Sequence, residues 1–196
     1  KLFIGILKEF EKVAIRKSDI IFSVNKKDIN FISKEKDINK IKKWVPIDFS
    51  KKHIKKTESC KKLFQQIKGK FIVGFIGARF SPNKIAVEDI LKIAAKLQNK
   101  KIIHFLIIGS VGDYFKENSY KNVTFTGYVN NLDNYIDGCN LLLNPKKTHD
   151  TGIEIKMFDY LKSNKPIIST EMGVIGFEDF ENVKIVSINN FYEESI

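Results

Sequence analysis

The sequence predicts an α/β fold, a Rossmann-like doubly wound parallel sheet, and three observations carry the prediction. From Lys70 onward, short apolar runs alternate with helical patterns of about 10–15 residues, the alternation that βαβ units produce. Two of those runs end in glycine, at Gly77 and Gly109, where a chain leaving a strand needs room to turn. The third observation is the stretch LLLNPKKTHDTGIEIKMFDYLKSNKPIIST, residues 141–170, which reads as strand, loop, helix and strand. Leu141 to Leu143 form a buried strand end, and residues 144–150 a polar loop. An amphipathic helix follows to about Lys162, with Ile153, Met157, Tyr160 and Leu161 on its apolar face. Ser163-Asn164-Lys165-Pro166 ends it, because proline disfavours helical backbone in the residue before it. Ile167-Ile168 opens the next strand.

Taken in order, residues 1–17 put Phe3, Ile6, Leu7, Phe10, Val13 and Ala14 on one helical stripe. Such a stripe suits a helix lying on a membrane surface or one packed on a sheet. Ser18-Asp19 and the strand-like residues 20–24 behind it favour the sheet. A short helix from Lys26 to about Ser33 and an extended piece at residues 41–48 follow. Residues 49–69 are lysine-heavy and read as a linker with a short helix, and a domain boundary falls near Gly69. Next come a strand at residues 71–77, a loop at residues 78–84, and a helix with Val87, Ile90, Leu91, Ala94 and Leu97 inward. Strands at residues 102–108, 123–125 and 140–143, with a helix near residues 132–137, complete the alternation up to the stretch at residue 141.

In open α/β sheets, ligands bind at the carboxyl ends of the strands. The loop and helix start that follow Leu143 lie there. First-turn amides, placed by this reading around residues 152–155, lack intrahelical partners and carry the positive end of the helix dipole, so they suit a phosphate. Thr151-Gly152 allows a ligand close to the backbone. Arg79 and Lys84, in the loop after the first strand, can neutralise a diphosphate. Lys156 stands one helical turn before Asp159 and can reach a phosphate or pair with that carboxylate. His149 lies beside the same loop, while His53 and His104 read as structural or exposed.

The order Pro145, Gly152, Lys156, Asp159, Lys165-Pro166 and the loop from Gly173 to Gly176 resembles the donor-binding segment of GT-B glycosyltransferases, in particular glycosyltransferase family 4. The resemblance covers residues 70–178 well and residues 1–48 weakly, through Ser18 to Ser23 and the VPID at residues 45–48. It implies the C-terminal half of a GT-B fold, with residues 1–48 as the end of the acceptor-side domain and residues 70–196 as a nucleotide-sugar-binding domain. It also implies a retaining transfer of a hexose from a nucleoside diphosphate sugar to a glycan or lipid-linked acceptor. Lys84 falls at the family's diphosphate lysine; Arg79 stands one residue later than the family arginine, and Ile85 replaces a glycine. Gly77 and Gly109 match the family's glycine turns, and Val129 its contact beside the nucleobase. The family's paired acids reduce here to Asp159, which would take the ribose hydroxyls, with Thr151 in the place of the first. No metal is expected, since protein cations and a helix dipole would replace it. Much of the family's catalytic machinery lies in the acceptor-side domain, so this stretch alone is expected to bind donor with little transfer.

The remaining composition narrows the classes. A formal charge of +11 is spread over nearly every segment, together with abundant Ile and Asn, and no nucleic-acid motif accompanies it. A weak peripheral attraction to anionic headgroups is the expectation that remains, at the cytoplasmic face of a membrane. No apolar run approaches the roughly 20 residues that span a bilayer. Cys60 and Cys139 have no metal or redox spacing and read as reduced thiols. The rival to the donor-site reading is a noncatalytic Rossmann-like module that binds a nucleotide or a partner protein.

Overall fold

The computed structural model describes residues 2–23, 26–35, 41–43, 56–117, 120–148 and 153–187. Contacts divide the chain into two compact units, Lys1–Asp48 with Thr151–Ile153, and Phe49–Asp150 with Glu154–Ile196.

The first unit contains α1 (Leu2–Lys17), β1 (Ile21–Ser23), α2 (Lys26–Ile32) and β2 (Ile41–Lys43). The two strands pair in parallel, Ile21 with Ile41. Arg16, in the last turn of α1, donates through both Nε and Nη2 to Glu35 Oε2, at 3.0 and 2.5 Å. Where it is described, the stripe expected to pack on a sheet is exposed: Phe10 is 71% and Leu7 52% accessible, and among the described side chains of the helix Ile15 is the buried apolar one. The dimensions explain this. A 16-residue helix is about 24 Å long, whereas a three-residue strand runs about 10 Å. Two such strands cannot cover it.

The second unit opens with α3 (Glu58–Gln66), capped by Thr57, whose hydroxyl accepts from the Cys60 amide at 3.3 Å. Cys60 is fully buried and Phe64 packs against the Tyr135 ring, so this helix is part of the unit's core. The other elements are β3 (Phe71–Ile76), α4 (Ser81–Leu97), β4 (Ile103–Ile108), a 3-10 helix (Ser110–Phe115), β5 (Val123–Phe125), α5 (Leu132–Ile136), β6 (Leu141–Asn144), α6 (Lys156–Ser163), β7 (Ile167–Thr170) and β8 (Val183–Val186). The sheet order is β5-β4-β3-β6-β7-β8, and every pairing is parallel. The fold is therefore the doubly wound parallel sheet that the alternation predicts. Val73, Phe75, Phe105 and Ile107 of the central strands meet Val87, Ile90, Ile93 and Ala94 of α4 in the core. His104 is buried with Nε2 2.8 Å from Thr124 Oγ1, and burial pushes its pKa down. It is structural, as the sequence suggests.

Because all six strands are parallel, the segments that follow them leave from one edge of the sheet. The order reverses between β3 and β6, where the connections depart in opposite directions and a crevice opens. The register there pairs Val73 with Leu141 and Gly74 with Leu142. Further along, the Tyr160 hydroxyl stands between the strands. It accepts from the Ile76 amide at 2.9 Å and donates to the Leu143 carbonyl at 3.1 Å. A side chain from α6 thus spreads the strand ends and satisfies both buried groups.

Two helix starts differ from the sequence reading, and two elements are additional to it. Helix α4 begins at Ser81, so Lys84 lies in its first turn and not in a loop. Pro82 sets the helical φ and lacks an amide that would be orphaned there anyway. Helix α6 begins at Lys156, about one turn later than the expected start near Gly152. Its entry is made of tight turns, Met157 N to Glu154 O and Phe158 N to Ile155 O, each 3.0 Å. After Gly109 the chain forms a 3-10 helix, and β8 adds an edge strand that the pattern does not signal.

Candidate functional site

The glycines at the strand ends are shaped by packing. Gly77 donates its amide to Ile108 O at 2.9 Å and accepts from Val111 N at 3.1 Å. A Cβ there would sit 2.9 Å from the Phe75 ring and 3.0 Å from Val111. Gly109 has φ 107°, and a Cβ would lie 2.5 Å from the Gly77 carbonyl oxygen. Its amide donates to Gly127 O and Thr126 Oγ1, both at 3.1 Å. Both backbones are therefore spent inside the fold, and the two glycines contribute close approach of β3 and β4 where the edge must stay open.

The cations converge beside them. The Arg79 amide donates to Ser110 Oγ at 3.0 Å, tying the segment after β3 to the 3-10 helix after β4. The Arg79 guanidinium carbon lies 5.5 Å from the centroid of the Tyr114 ring, and Lys84 Nζ lies 5.7 Å from the same centroid. Lys84 Nζ is also 3.7 Å from Glu88 Oε1, one turn along α4. Both predicted diphosphate ligands thus meet at one aromatic ring.

Lys156 turns to the same helix start. Its Nζ donates to Asn83 Oδ1 at 2.8 Å, stands 3.4 Å from Glu154 Oε2 and lies 4.4 Å from the Phe75 ring centroid. The expected alternatives were a phosphate or Asp159; the side chain instead joins α6 to the first turn of α4. Glu154 also binds the buried Lys146, Oε1 to Nζ 2.8 Å. Lys147 pairs with the buried Asp89, which also holds Lys92 at 2.9 Å.

Asp159 is half-buried near α5. Burial raises its pKa first, the Asp133 carboxylate adds to the rise, and Lys162 opposes it. Lys162 itself reaches Asp133 Oδ2 at 3.2 Å. Val129 lies half-buried beside the exposed Tyr128 in the segment after β5. His149, Thr151 and Gly152 lie outside the described residues.

A polar clamp holds the loop after β6. Thr170 Oγ1 donates to Lys146 O at 2.6 Å, and Asn144 Nδ2 to Gly173 O at 2.9 Å. A Cβ on Gly173 would meet Asn144 Nδ2 at 2.5 Å. The strand ending Ser-Thr and the glycine loop after it thus fix residues 144–146 at the crevice. Sequence reasoning singles out that segment but not the clamp, nor Asn83, Ser110, Tyr114, Lys146 and Glu154. Pro82 is the signal that could place Asn83 and Lys84 on a helix. The partners of Ser110 and Tyr114 come from distant elements.

The arrangement brings Gly77, Arg79, Lys84 and Gly109 together at the carboxyl ends of β3 and β4, and Lys156 reaches the same helix start from the β6 side through Asn83, with Asp159 one helical turn beyond it. Such a concentration of cations at a strand-end crevice can hold a polyanion. Among the described residues no three His, Cys, Asp or Glu side chains gather to hold a metal ion, and no helix is long and apolar enough to cross a membrane.

Residues 70–190 match the family profile described as glycosyl transferases group 1. A search of curated proteins gives no match. Among solved structures, Anabaena HepE in complex with UDP-glucose aligns at 17% identity with a TM-score of 0.67, over 93% of this chain and 53% of that one. A variant of S. aureus TarM in complex with fondaparinux, alpha-GlcNAc-glycerol and UDP aligns at 18% identity and TM-score 0.65, over 95% and 38%. WaaG, a glycosyltransferase involved in lipopolysaccharide biosynthesis, aligns at 14% and 0.65, over 88% and 51%. The chain thus spans about half or less of the length of these proteins, and at such identities the likeness establishes the shared fold.

Proposed function

The chain belongs to the group 1 glycosyl transferases, and we propose that the strand-end crevice holds the nucleoside diphosphate of a sugar donor. The observation that carries this reading is the meeting of Arg79 and Lys84 at the Tyr114 ring, beside the switch between β3 and β6. In the proposed reaction the bond between the anomeric carbon and the diphosphate oxygen breaks, and negative charge grows on the departing phosphate. Fixed cations stabilise that charge more than they stabilise the bound donor, which lowers the barrier. Arg79 and Lys84 fill this role, protein cations serving in place of a metal. Gly77 and Gly109 let the ends of β3 and β4 approach closely beneath the phosphates, and in this reading the base is met beside Val129.

Asp159 takes the ribose hydroxyls in this reading, because a half-buried carboxylate recovers its burial cost when hydroxyls donate to it. The sugar passes, with retention, to a glycan or lipid-linked acceptor. A membrane-anchored acceptor suits the net charge of +11, which draws the protein weakly to anionic headgroups.

Calorimetric titration with UDP, GDP and the corresponding sugar conjugates tests the reading. Saturable binding of one diphosphate is expected, weakened about tenfold by Lys84→Ala and by Asp159→Asn, as for loss of one charge-assisted hydrogen bond. No binding of any of them refutes it. The sign with pH follows from the raised pKa of Asp159. The folded state binds this proton more tightly than the unfolded chain, so the carboxylate's contribution to stability is full below its unfolded pKa and is lost as pH rises through the folded one. Donor binding needs the ionised form and runs the other way, weakening as pH falls through the folded pKa. Asp159→Asn should remove that pH dependence from binding and leave the unliganded protein at least as stable at neutral pH.

A further inference from the structure

We infer that Tyr114 is a positioning residue for the diphosphate, holding Arg79 and Lys84 in place before the donor arrives; this rests on the donor reading above. Both cations lie within 6 Å of the Tyr114 ring centroid, at 5.5 and 5.7 Å, the range in which a cation is attracted to the face of an aromatic ring. They come from different places, Arg79 from the segment after β3 and Lys84 from the first turn of α4. The ring comes from a third, the 3-10 helix after β4. Two like charges on flexible stems repel each other and lose rotamer freedom when gathered. A shared ring offsets both costs.

The backbone supports the same placement. Ser110, in the same 3-10 helix, accepts from the Arg79 amide at 3.0 Å, so one short element fixes both the backbone of the segment and the side chains that leave it. Val111 and Gly112 are buried, and Phe115 stacks on Phe125 with centroids 5.6 Å apart. The helix is anchored on that side, while Tyr114 remains 39% accessible and turned toward the cations. The Tyr114 hydroxyl is not needed for this role. A preorganised pair pays less ordering cost when the ligand binds, and the gain appears in affinity.

Tyr114→Leu and Tyr114→Phe separate this from a merely structural role. Titrating the 196-residue chain and both variants with UDP and GDP, and with uridine and guanosine, is expected to show about fivefold weaker diphosphate binding in Tyr114→Leu. Nucleoside binding should be unchanged, and Tyr114→Phe should match the parent. In a chain that already carries Arg79→Ala and Lys84→Ala, Tyr114→Leu should have no further effect. Unchanged diphosphate affinity in Tyr114→Leu overturns the inference, as does equal weakening toward diphosphates and nucleosides or a persistent effect without the two cations. Failure of the parent chain to bind any diphosphate is a different result: it removes the donor reading, and this inference with it. Ring-current shifts on the Lys84 and Arg79 methylene protons, lost in Tyr114→Leu and kept in Tyr114→Phe, report the geometry without ligand.

Discussion

Gly109→Ala is expected to destabilise the protein by about 3 kcal/mol, from the left-handed backbone that the position requires together with a clash against backbone. At φ 107° and ψ 177° the residue sits in a region that L side chains rarely adopt. The added methyl would lie 2.5 Å from the Gly77 carbonyl oxygen, which already accepts from Val111 N. A carbonyl engaged on one side and pressed on the other cannot yield like the end of a flexible side chain. Chemical denaturation at neutral pH measures the loss. Gly127→Ala is the informative control: it shares the positive φ, at 65°, but has nothing within 4 Å of its would-be Cβ. A similar loss in both variants would assign the cost to backbone conformation alone and remove the close approach from the account.

Tyr160→Phe is expected to cost about 2–3 kcal/mol without leaving a cavity, since only the hydroxyl goes and two buried backbone groups lose a partner. The Ile76 amide and the Leu143 carbonyl are buried and meet the same oxygen. The side chain is fully buried, and its pKa is pushed well up by burial, so the phenol stays protonated and keeps donating over the usual pH range. Denaturant midpoints give the energy. Hydrogen exchange gives the location, because the Ile76 amide should lose protection beyond the global change. Full stability in Tyr160→Phe would mean that the strand ends close on each other directly, and that the crevice owes nothing to α6.

Periodicity made much of this legible. Met157, Tyr160 and Leu161 of the expected stripe are buried as its spacing implies, whereas Ile153 falls before the helix and is half-buried, and Lys165-Pro166 ends α6 where expected. The residues that set the geometry of the site were harder to read. Nothing in the helical spacing of Tyr160 says that its hydroxyl bridges two strands. Tyr114 lies in a six-residue 3-10 helix, too short for a 3.6-residue period to register, and its partners come from segments some 30 residues away. Lys84 reads as a loop residue because Ser81-Pro82-Asn83 looks like a turn; the same proline fits the first turn of a helix, here one whose N-cap, Phe80, is extended. The stripe on α1 shows the converse. Amphipathic spacing gives the apolar face of a helix, but not whether the neighbouring strands are large enough to cover it.

In the proposed function a nucleoside diphosphate binds beside the switch between β3 and β6. The most direct test is an amide chemical-shift map of the isotope-labelled chain during titration with UDP and GDP. Binding there should give saturable shifts in residues 77–84, 109–114, 145–148 and 154–159, with little change at the amino ends of the strands near Lys70, Ile102 and Tyr120. Saturable shifts confined to those amino ends, or to the exposed face of α1, would contradict it.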